Sequence, residues 1–423
     1  MRPLKRFLRS GFKALLRVYF GSIEEVGERP SAETRGRVFV SNHKNALLDP
    51  VLVLTHAPCD VSPLAKSTLW DLPGLAWLLD LADAVPVLRR SDDPNKPAGA
   101  NDEMFDRIAK HLASGGNVLV FPEGTSHNEP AMIRLKTGAA RMLARAAAAG
   151  ATDLTFQAVG LEFAARDKFR TRAMVAYGPV RRVADVAGDL IEGATARMHD
   201  DLEDLVIEGA TWDERRLVLR IAELIRNEQG ERSFAEAVRI AQGVERARDR
   251  LRRLHPEVAE AVERAVGAYL DALDREGLTD EQLSGPREEK GPSALAWAAL
   301  PLFPIGVALY WVPYQLPRLV ARRTDETDQH STLKFATGLV AYPVWAIGLG
   351  AAAFVALRSR AARAAAIGVI VASPFAALHW LENARELRRA LRLARKGSGL
   401  GDLLELRRVA MDAIDRARAA AAE

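Results

Sequence analysis

The amino-acid sequence predicts an α/β domain, followed by a helical region and then by several apolar helices. Between residues 31 and 185, short runs rich in β-branched residues alternate with amphipathic segments of helical period. Alternation of this kind is typical of an α/β domain. Beyond residue 185 the strand signals end and charges become dense, and long uncharged stretches begin near residue 293. A chain of 423 residues is long enough for two or three domains.

Residues 1–30 are predicted to form a basic amphipathic helix and a linker. Arginine and lysine interrupt the apolar residues every few positions, so the segment lacks the continuous apolar core of a signal peptide. Basic residues cover most of the predicted helix, but apolar residues follow helical spacing on one face: Leu4, Phe7, Leu8, Phe12, Leu15, Leu16 and Tyr19. Such a helix either lies in the membrane interface with its cations on lipid phosphates, or docks on the domain with a solvated basic face.

Six strands are predicted within the α/β domain of residues 31–185. They span 38–41, 61–64, 84–87, 118–121, 155–159 and 173–177. Helices are predicted between them, for example at 102–113 and 136–149. The accessory region, 186–292, is predicted to be helical, because apolar residues recur there at helical spacing and Pro256 suits the start of a helix.

Three apolar stretches lie within residues 293–381, which are predicted to be membrane-associated helices. The second, 335–357, is uncharged and has the length of a bilayer span. The first, 293–317, is interrupted by prolines, and the third, 364–381, is shorter. Aromatic residues near the segment ends favour a membrane, and the alternative is a buried helical hairpin of a soluble protein. A basic helical tail, 382–423, follows, and the sequence leaves the membrane topology open.

Composition narrows the class of protein. The single cysteine, Cys59, rules out an internal disulfide framework and suits a reducing cytosol. The formal net charge of +4 and the sequence pI near 9.2 suit an anionic membrane surface or phosphorylated substrates. Nucleic acid is not expected as a partner, because no recognition motif is present. The histidines show no metal-ligand spacing, so no metal is expected.

The candidate chemistry begins with a histidine and an aspartate directly after the predicted strand at 38–41. Open α/β sheets bind their ligands at the carboxyl ends of the strands. His43 can act as a general base if the chain turns so that Asp49 accepts a hydrogen bond from one ring nitrogen and directs the other toward a substrate hydroxyl. The alternative is a surface or capping arrangement of the two residues.

Further candidates follow other predicted strands. Glu123 lies just past a buried strand, where a carboxylate is costly unless it is hydrogen-bonded or used, and Gly124 permits a tight turn close to a ligand. The alternative is an ordinary turn with a capping glutamate. Arg89 follows the strand at 84–87, and Lys136 precedes a predicted helix start. Each of these two cations is a candidate phosphate ligand or a solvated surface charge.

Taken in order, these pieces resemble the phospholipid/glycerol acyltransferase superfamily. The matching residues are Asn42, His43 and Asp49, then Arg89, then Phe121 through Ser126, then Lys136 through Ala139, and last Gln157 through Gly160. The resemblance covers about residues 31–185 and implies a mixed sheet flanked by helices. It implies that His43, oriented by Asp49, deprotonates a glycerol hydroxyl for attack on an acyl thioester. It also implies substrate binding by the other motif residues: Asn42, Arg89, Glu123, Gly124, Thr125 and Lys136.

Three features depart from the usual pattern of that superfamily. Five residues separate His43 from Asp49 where four are commonest, and a branch that includes yeast-type glycerol-3-phosphate/dihydroxyacetone-phosphate acyltransferases has this longer form. Ala158 stands where the fourth motif usually has proline, and Asp83 stands where the second usually has glycine.

The sequence as a whole predicts a membrane-bound O-acyltransferase whose catalytic domain faces the cytoplasm. Acyl-CoA or acyl-carrier protein is the expected co-substrate, with no other cofactor. Glycerol-3-phosphate or a lysophospholipid is the expected acceptor, membrane lipids are the expected partners, and the oligomeric state is left open. Two alternatives remain at this point: a catalytically silent membrane-lipid scaffold with the same fold, and a thioester or lipid hydrolase that uses the same base with water.

Overall fold

The computed structural model of the chain consists of two compact units. It describes residues 3–72, 74–88, 99, 101–166, 168–231, 233–284, 294–324, 327–395 and 400–422. The first unit comprises Met1–Arg216, Ser233–Gln242 and Glu326–Thr332. The second comprises Leu217–Arg232, Gly243–Asp325 and Leu333–Glu423. The predicted boundary at residue 292 and the candidate ligand Arg89 lie outside the described residues.

The first unit is built on a mixed sheet, which has seven strands within the described part of the chain. They are β1 (Ser22–Gly27), β2 (Arg37–Ser41), β3 (Ser62–Lys66), β4 (Val85–Val87), β5 (Val118–Val120), β6 (Thr155–Phe163) and β7 (Arg172–Arg182). Their order across the sheet is β1-β7-β6-β2-β5-β3-β4. Strands β6 and β7 are antiparallel, and the other neighbouring pairs are parallel. The predicted α/β class and its mixed sheet are therefore confirmed.

Helices account for most of the remaining described residues. Six belong to the first unit: α1 (Pro3–Tyr19), α2 (Leu48–His56), α3 (Leu75–Leu81), α4 (Asp102–Ala113), α5 (Gly138–Ala148) and α6 (Leu190–Glu203). Then come α7 (Trp212–Glu228), α8 (Phe234–Leu254), α9 (Pro256–Glu276), α10 (Asp280–Ser284), α11 (Ala294–Ala299), α12 (Leu302–Ala321), α13 (Thr327–Ala356), α14 (Arg360–Arg395) and α15 (Leu400–Ala422). Helices α7, α8 and α13 contribute residues to both units.

The core of the first unit lies between the central strands and the helices that cover them. Val38 and Val40 of β2 and Val118 of β5 have no exposed surface, and they pack with Ile108 of α4 and Leu143 of α5. Parallel strands that are covered on both faces read as continuous apolar runs in a sequence. This burial explains why β2, β5 and the helices α4 and α5 were predictable within a residue or two, whereas β6 runs four residues beyond its predicted end.

Strand β1 was not predicted, because it falls in the segment assigned to a linker. Among the described residues it pairs with β7 alone, at the edge of the sheet, and its side chains are half-buried or exposed. Two adjacent glutamates interrupt its apolar residues, so no strand pattern marks it. One of them, Glu24, accepts hydrogen bonds from the backbone amides of Phe234 (2.7 Å) and Ala235 (2.9 Å) at the start of α8. The strand therefore also satisfies the free amides at a helix amino terminus.

Part of the apolar face predicted for α1 is buried against the domain, and part of it is exposed. Leu16 and Tyr19 are buried against the first unit. Leu4, Phe7, Leu15 and Val18 remain 49%, 73%, 38% and 36% exposed, and their spacing places them on a second stripe of the helix. The basic face is not wholly solvated either, because Arg9 donates to the carbonyl of Thr55 at 3.3 Å. Helix α1 thus docks on the domain and presents an apolar stripe outward.

Two of the three predicted apolar stretches form helices that are long and apolar enough to cross a membrane, judged by length and composition alone. They span Gln329–Ala356 in α13 and Arg360–Ala384 in α14. The stretch 293–317 instead begins outside the described residues and continues into α11 and α12. Helix α12 packs with both others, because Trp345 Nε1 of α13 donates to the Leu309 carbonyl (2.8 Å) and the Tyr310 hydroxyl donates to the Ile370 carbonyl of α14 (2.8 Å).

Candidate active site

The two motifs found in the sequence meet at the carboxyl ends of neighbouring strands. Strands β2 and β5 run parallel, with Val40 opposite Val120, and His43 and Glu123 each lie three residues farther along the chain. The backbone amide of His43 donates to Glu123 Oε1 at 2.6 Å. The shared direction of the strands therefore places residues that are 80 positions apart in direct contact.

His43 and Asp49 form a buried hydrogen-bonded pair. The distance from His43 Nδ1 to Asp49 Oδ2 is 3.0 Å, and the side chains are 8% and 0% exposed. The chain turns between them, and α2 begins at Leu48, so Asp49 lies in the first turn of that helix. An aspartate is stabilised at this end of a helix. The five intervening residues thus do not prevent the pairing that the sequence predicted.

The carboxylate of Asp49 is held by the loop itself. The Asn45 backbone amide donates to Asp49 Oδ2 at 2.7 Å, and the Asn45 side-chain amide lies 3.5 Å from Oδ1. The Asp49 amide in turn donates to the Asn45 carbonyl at 3.3 Å. Reciprocal bonds of this kind fix the direction of the carboxylate toward the imidazole. The role of an orienting aspartate depends on such a fixed direction.

The imidazole of His43 is fixed on its flat side as well. It stacks on the ring of Phe121, with the centroids 4.0 Å apart and the planes inclined by 21°. Within the described part of the chain, Nε2 of His43 has no hydrogen-bond partner, whereas Nδ1 faces Asp49. A neutral imidazole with Nδ1 protonated leaves Nε2 as the proton acceptor. This geometry is compatible with the base predicted from the sequence, and that role stays a prediction.

Asn42 ties the end of β2 to β6. Its Nδ2 donates to the Leu161 carbonyl at 2.9 Å, and its Oδ1 accepts from the Leu161 amide at 2.8 Å. The side chain has no exposed surface. This geometry assigns Asn42 to the support of the strand end that carries His43, and the expected contact with substrate stays a prediction.

Both carboxylate oxygens of Glu123 accept hydrogen bonds from other groups of the protein. Besides the bond from the His43 amide, Oε2 accepts from His127 Nε2 and, at 3.2 Å, from the Ile133 amide. The residue is 1% exposed. Burial by itself raises the pKa of Glu123, but the hydrogen bond and charge of His127 and the two backbone amides outweigh it and hold this pKa below the usual range. Glu123 therefore links the His43 backbone to the segment 127–133.

We expect Glu123→Gln to lower stability by about 1–3 kcal/mol near neutral pH, because the amide nitrogen cannot accept the bonds that the carboxylate accepts. A glutamate whose pKa is depressed by folding adds stability above the ordinary glutamate pKa and loses it as the pH falls through the folded-state value. Thermal unfolding in detergent between about pH 7 and about pH 3 should therefore be less acid-sensitive in the variant.

Glu208→Gln is the matched control for this experiment. Burial raises the pKa of Glu208, whose carboxylate accepts a 2.8 Å bond from the Met132 amide. A carboxylate whose pKa is raised by folding makes the protein more stable, not less stable, as the pH falls. Removal of the Glu208 carboxylate should therefore not reduce the acid sensitivity of unfolding. Equal acid sensitivity of the wild type and the Glu123 variant would contradict the assignment.

The other predicted substrate ligands lie around the turn after β5. Gly124 has φ of +78°, which favours glycine, and a Cβ atom there would meet the Lys136 side chain, with Cδ at 2.8 Å. Lys136 is exposed just before α5, and its amide donates to the Pro122 carbonyl at 2.8 Å. Thr125 is exposed, and its hydroxyl donates to the Ser126 carbonyl at 3.2 Å. An ammonium thus lies beside the glycine turn, whereas Arg89 lies outside the described residues.

Sequence reasoning missed two residues that shape this region. His127 lies four positions after Glu123 and binds its carboxylate, and that spacing was a signal which could have been used. Lys44 carried no such signal. Its ammonium is buried and donates to the carbonyls of Glu129 (2.9 Å) and Ala131 (3.0 Å). Burial, the largest cause, lowers the pKa of Lys44. Both residues hold the segment 127–131 against the loop of residues 43–49, which we call the His43 loop.

Among the described residues, three potential metal ligands come together at His199, Asp200 and Glu203 of α6. All three are exposed, and exposed acidic groups commonly cluster without an ion. No second feature of the structure points to a ligand there.

Comparison with known proteins identifies the class of this domain. Residues 22–161 match the family described as Acyltransferase. Over 79 residues the chain is 40% identical to glycerol-3-phosphate O-acyltransferase 2 of Saccharomyces cerevisiae. Over 123 residues it is 30% identical to lysophosphatidylcholine acyltransferase of Drosophila melanogaster. A solved structure, the 1-acyl-sn-glycerophosphate (LPA) acyltransferase PlsC of Thermotoga maritima, aligns with a TM-score of 0.33 at 14% identity, over 47% of this chain and 80% of that one.

The domain that carries His43 and Glu123 is thus an acyltransferase domain, and it belongs to the glycerolipid acyltransferase superfamily. The resemblance found in the sequence is confirmed. The matched segments make up 18% and 28% of this chain, and they span 11% and 22% of the yeast and fly relatives.

Proposed function

We propose that the protein is a membrane-associated O-acyltransferase, which moves a fatty acyl group from a thioester to a hydroxyl of glycerol-3-phosphate or of a lysophospholipid. The observation that carries this proposal is the buried His43–Asp49 pair, with Nδ1 3.0 Å from the carboxylate and Nε2 directed elsewhere. The acyltransferase match of residues 22–161 supports the reaction class. The two curated relatives are named for glycerol-3-phosphate and lysophosphatidylcholine, which supports the acceptor class.

In this mechanism His43 Nε2 takes the proton of the acceptor hydroxyl. The hydroxyl oxygen attacks the thioester carbonyl, and the tetrahedral intermediate then expels the thiolate of CoA or of the acyl-carrier protein. The imidazolium returns its proton to that thiolate. Asp49 stabilises the imidazolium and keeps the ring in one orientation. A positioned base of this type contributes on the order of 10²–10⁴ in rate. No covalent acyl-enzyme is required.

The acceptor phosphate is proposed to bind near the glycine turn after β5. Gly124 lets the backbone come close to a ligand, and Lys136 places an ammonium beside it. Arg89 remains a proposed second cation for the same phosphate, since guanidinium groups bind phosphate oxygens in pairs. Glu123 cannot serve as a free ligand while its oxygens accept the internal bonds from His43, His127 and Ile133.

Membrane association is proposed from three features of the chain. Two helices have the length and composition of membrane spans. Large apolar side chains on them are exposed, including Ile347 at 72% and Val355 at 84%. The outward stripe of α1 is apolar and lies beside the exposed cations Arg6 and Arg17. A helix with these two surfaces suits the interface of an anionic bilayer. The catalytic domain is proposed to face the cytoplasm.

A fluorescent label on the outward stripe of α1 tests the interfacial placement. In anionic vesicles, we expect a bimane label on Phe7→Cys to be quenched by lipids that carry a nitroxide in the upper acyl chain, because that position is 73% exposed. The matched control is Ala113→Cys on the exposed end of α4, which should not be quenched. Cys59 is buried and burial raises its pKa, so the native thiol should not compete for the label. Equal quenching at both sites would contradict the placement.

The decisive test of function uses the purified full chain in detergent with labelled oleoyl-CoA. Glycerol-3-phosphate and lysophosphatidate are offered in parallel, and His43→Ala is the control. Labelled lipid from either acceptor, lost in the variant, supports the proposal and names the step. Loss of the thioester without acyl-glycerol product would show a hydrolase instead. If no thioester of CoA or of an acyl-carrier protein reacts with any lysolipid, the proposal is wrong.

A further inference from the structure

The amino-terminal end of α13 is bonded to the loop that connects His43 with Asp49. Thr332 Oγ1 accepts a 2.9 Å hydrogen bond from the Leu47 backbone amide, across 285 positions of sequence. Leu47 is the N-cap residue of α2, and its side chain makes no capping hydrogen bond. Asp49 lies two residues later, in the first turn. Thr332 therefore fixes the point at which the chain enters the helix that aims Asp49.

The adjacent residue of α13 holds the other side of the same loop. Ser331 has no exposed surface, and its hydroxyl donates to the Arg166 carbonyl at 2.6 Å. The guanidinium of Arg166 donates to the carbonyls of Lys44 (3.1 Å) and His127 (3.3 Å). Lys44 directly follows His43. Thr332 thus bonds directly to one end of the five residues between His43 and Asp49, and Ser331 is connected to the other end through Arg166.

This helix end also meets α1. The Tyr19 hydroxyl, buried at the end of α1, lies 3.5 Å from the Ser331 carbonyl as a hydrogen-bond donor. All of these contacts lie within the first unit, which includes Glu326–Thr332. Ser331 and Thr332 are at the same time among the first residues of the candidate span Gln329–Ala356. One end of a helix that is long and apolar enough to cross a membrane therefore contacts the loop between His43 and Asp49.

We propose that Thr332 and Ser331 are positioning residues of the acyl-transfer site. The His43–Asp49 geometry then depends on the position of the amino-terminal end of α13. This inference rests on the proposed function, because it assumes that His43 is the base. It assigns α13 a role in turnover that is separate from holding the protein in a bilayer. The loop is positioned by an element that follows it by almost 300 residues in sequence, so the acyltransferase motifs alone do not complete the site.

Two substitutions of Thr332 in the full chain test the hydroxyl itself. Thr332→Val has nearly the same shape but cannot accept the Leu47 amide, whereas Thr332→Ser keeps the acceptor. Hydrogen–deuterium exchange of peptides that cover residues 44–49 should become about tenfold faster in the valine variant and stay near wild type in the serine variant. The turnover number kcat should fall about tenfold in the valine variant with the acceptor KM little changed, and serine should restore it.

Thr337→Val is the matched control, since it makes the same chemical change in the same helix without a bond to the loop. Its exchange and kcat should match the wild type. Unchanged exchange in Thr332→Val, or equal defects in the valine and serine variants, would overturn the proposal. If the wild type transfers no acyl group at all, the proposed function fails, and the exchange measurement still decides whether Thr332 holds the loop.

Discussion

We expect the His43→Ala enzyme to lose about 10²–10⁴-fold in kcat, with a much smaller change in the acceptor KM. The reason is that Nε2 is the proposed acceptor of the hydroxyl proton, while the imidazole makes no other proposed contact with the acceptor. Removal of the ring also removes its stacking on Phe121, at 4.0 Å between centroids. His43→Gln is therefore measured in parallel, because it keeps most of the side-chain volume. Initial rates with labelled acyl-CoA give both kinetic constants.

The matched control for His43 is His199→Ala on α6, where the histidine is 46% exposed and outside the His43 loop. Its activity should equal the wild type. Thermal unfolding of each variant separates a catalytic loss from a folding defect. Full activity of both His43 variants would exclude this residue as the base.

The second large effect is expected for Asp49→Asn, with a loss on the order of 10²-fold or more in kcat. Asparagine is the same size, but it lacks the negative charge that stabilises the imidazolium. It also places an NH2 group where one carboxylate oxygen now accepts from both His43 Nδ1 (3.0 Å) and the Asn45 amide (2.7 Å). The imidazole then loses its fixed orientation. The measurement is again kcat and KM for the acceptor, together with the unfolding temperature.

Asp201→Asn gives a control of equal chemistry at another buried aspartate. Asp201 is 3% exposed and pairs with Arg181 at 2.7 Å, away from the two motifs. The change there should lower stability and leave kcat unchanged. If Asp49→Asn retains wild-type turnover, or if Asp201→Asn loses as much turnover as Asp49→Asn does, the orienting role of Asp49 is wrong.

The proximity of the two motifs could be predicted from the sequence, but their internal geometry could not. The apolar runs before Asn42 and before Glu123 mark buried parallel strands, and such strands bring their carboxyl ends to one edge. The pattern contains no information on whether Glu123 faces a ligand or the protein. The structure answers this, because His127, Ile133 and the His43 amide occupy both carboxylate oxygens. A carboxylate predicted to bind substrate thus makes its hydrogen bonds inside the protein, and its contact with substrate stays a prediction.

For the amino-terminal helix α1, too, the sequence predicted the element but not its contacts. Helical spacing identified α1 correctly, since the period of apolar residues is a local property of the chain. The sequence placed Phe7 and Leu16 on one face, whereas the structure buries Leu16 and leaves Phe7 73% exposed. Which part of an apolar face is covered depends on the shape of the domain beneath it. Only the folded chain supplies that shape.

The sequence by itself determined the α/β class, the central strands, the family and the pairing of His43 with Asp49. These follow from short-range patterns: apolar runs, helical period and the spacing of a few polar residues. Only the tertiary structure revealed the edge strand β1, the internal use of Glu123 and the contact of Thr332 with Leu47. Each of these depends on hydrogen bonds between segments far apart in the chain. Such bonds require a particular backbone direction, which no local pattern of residues encodes.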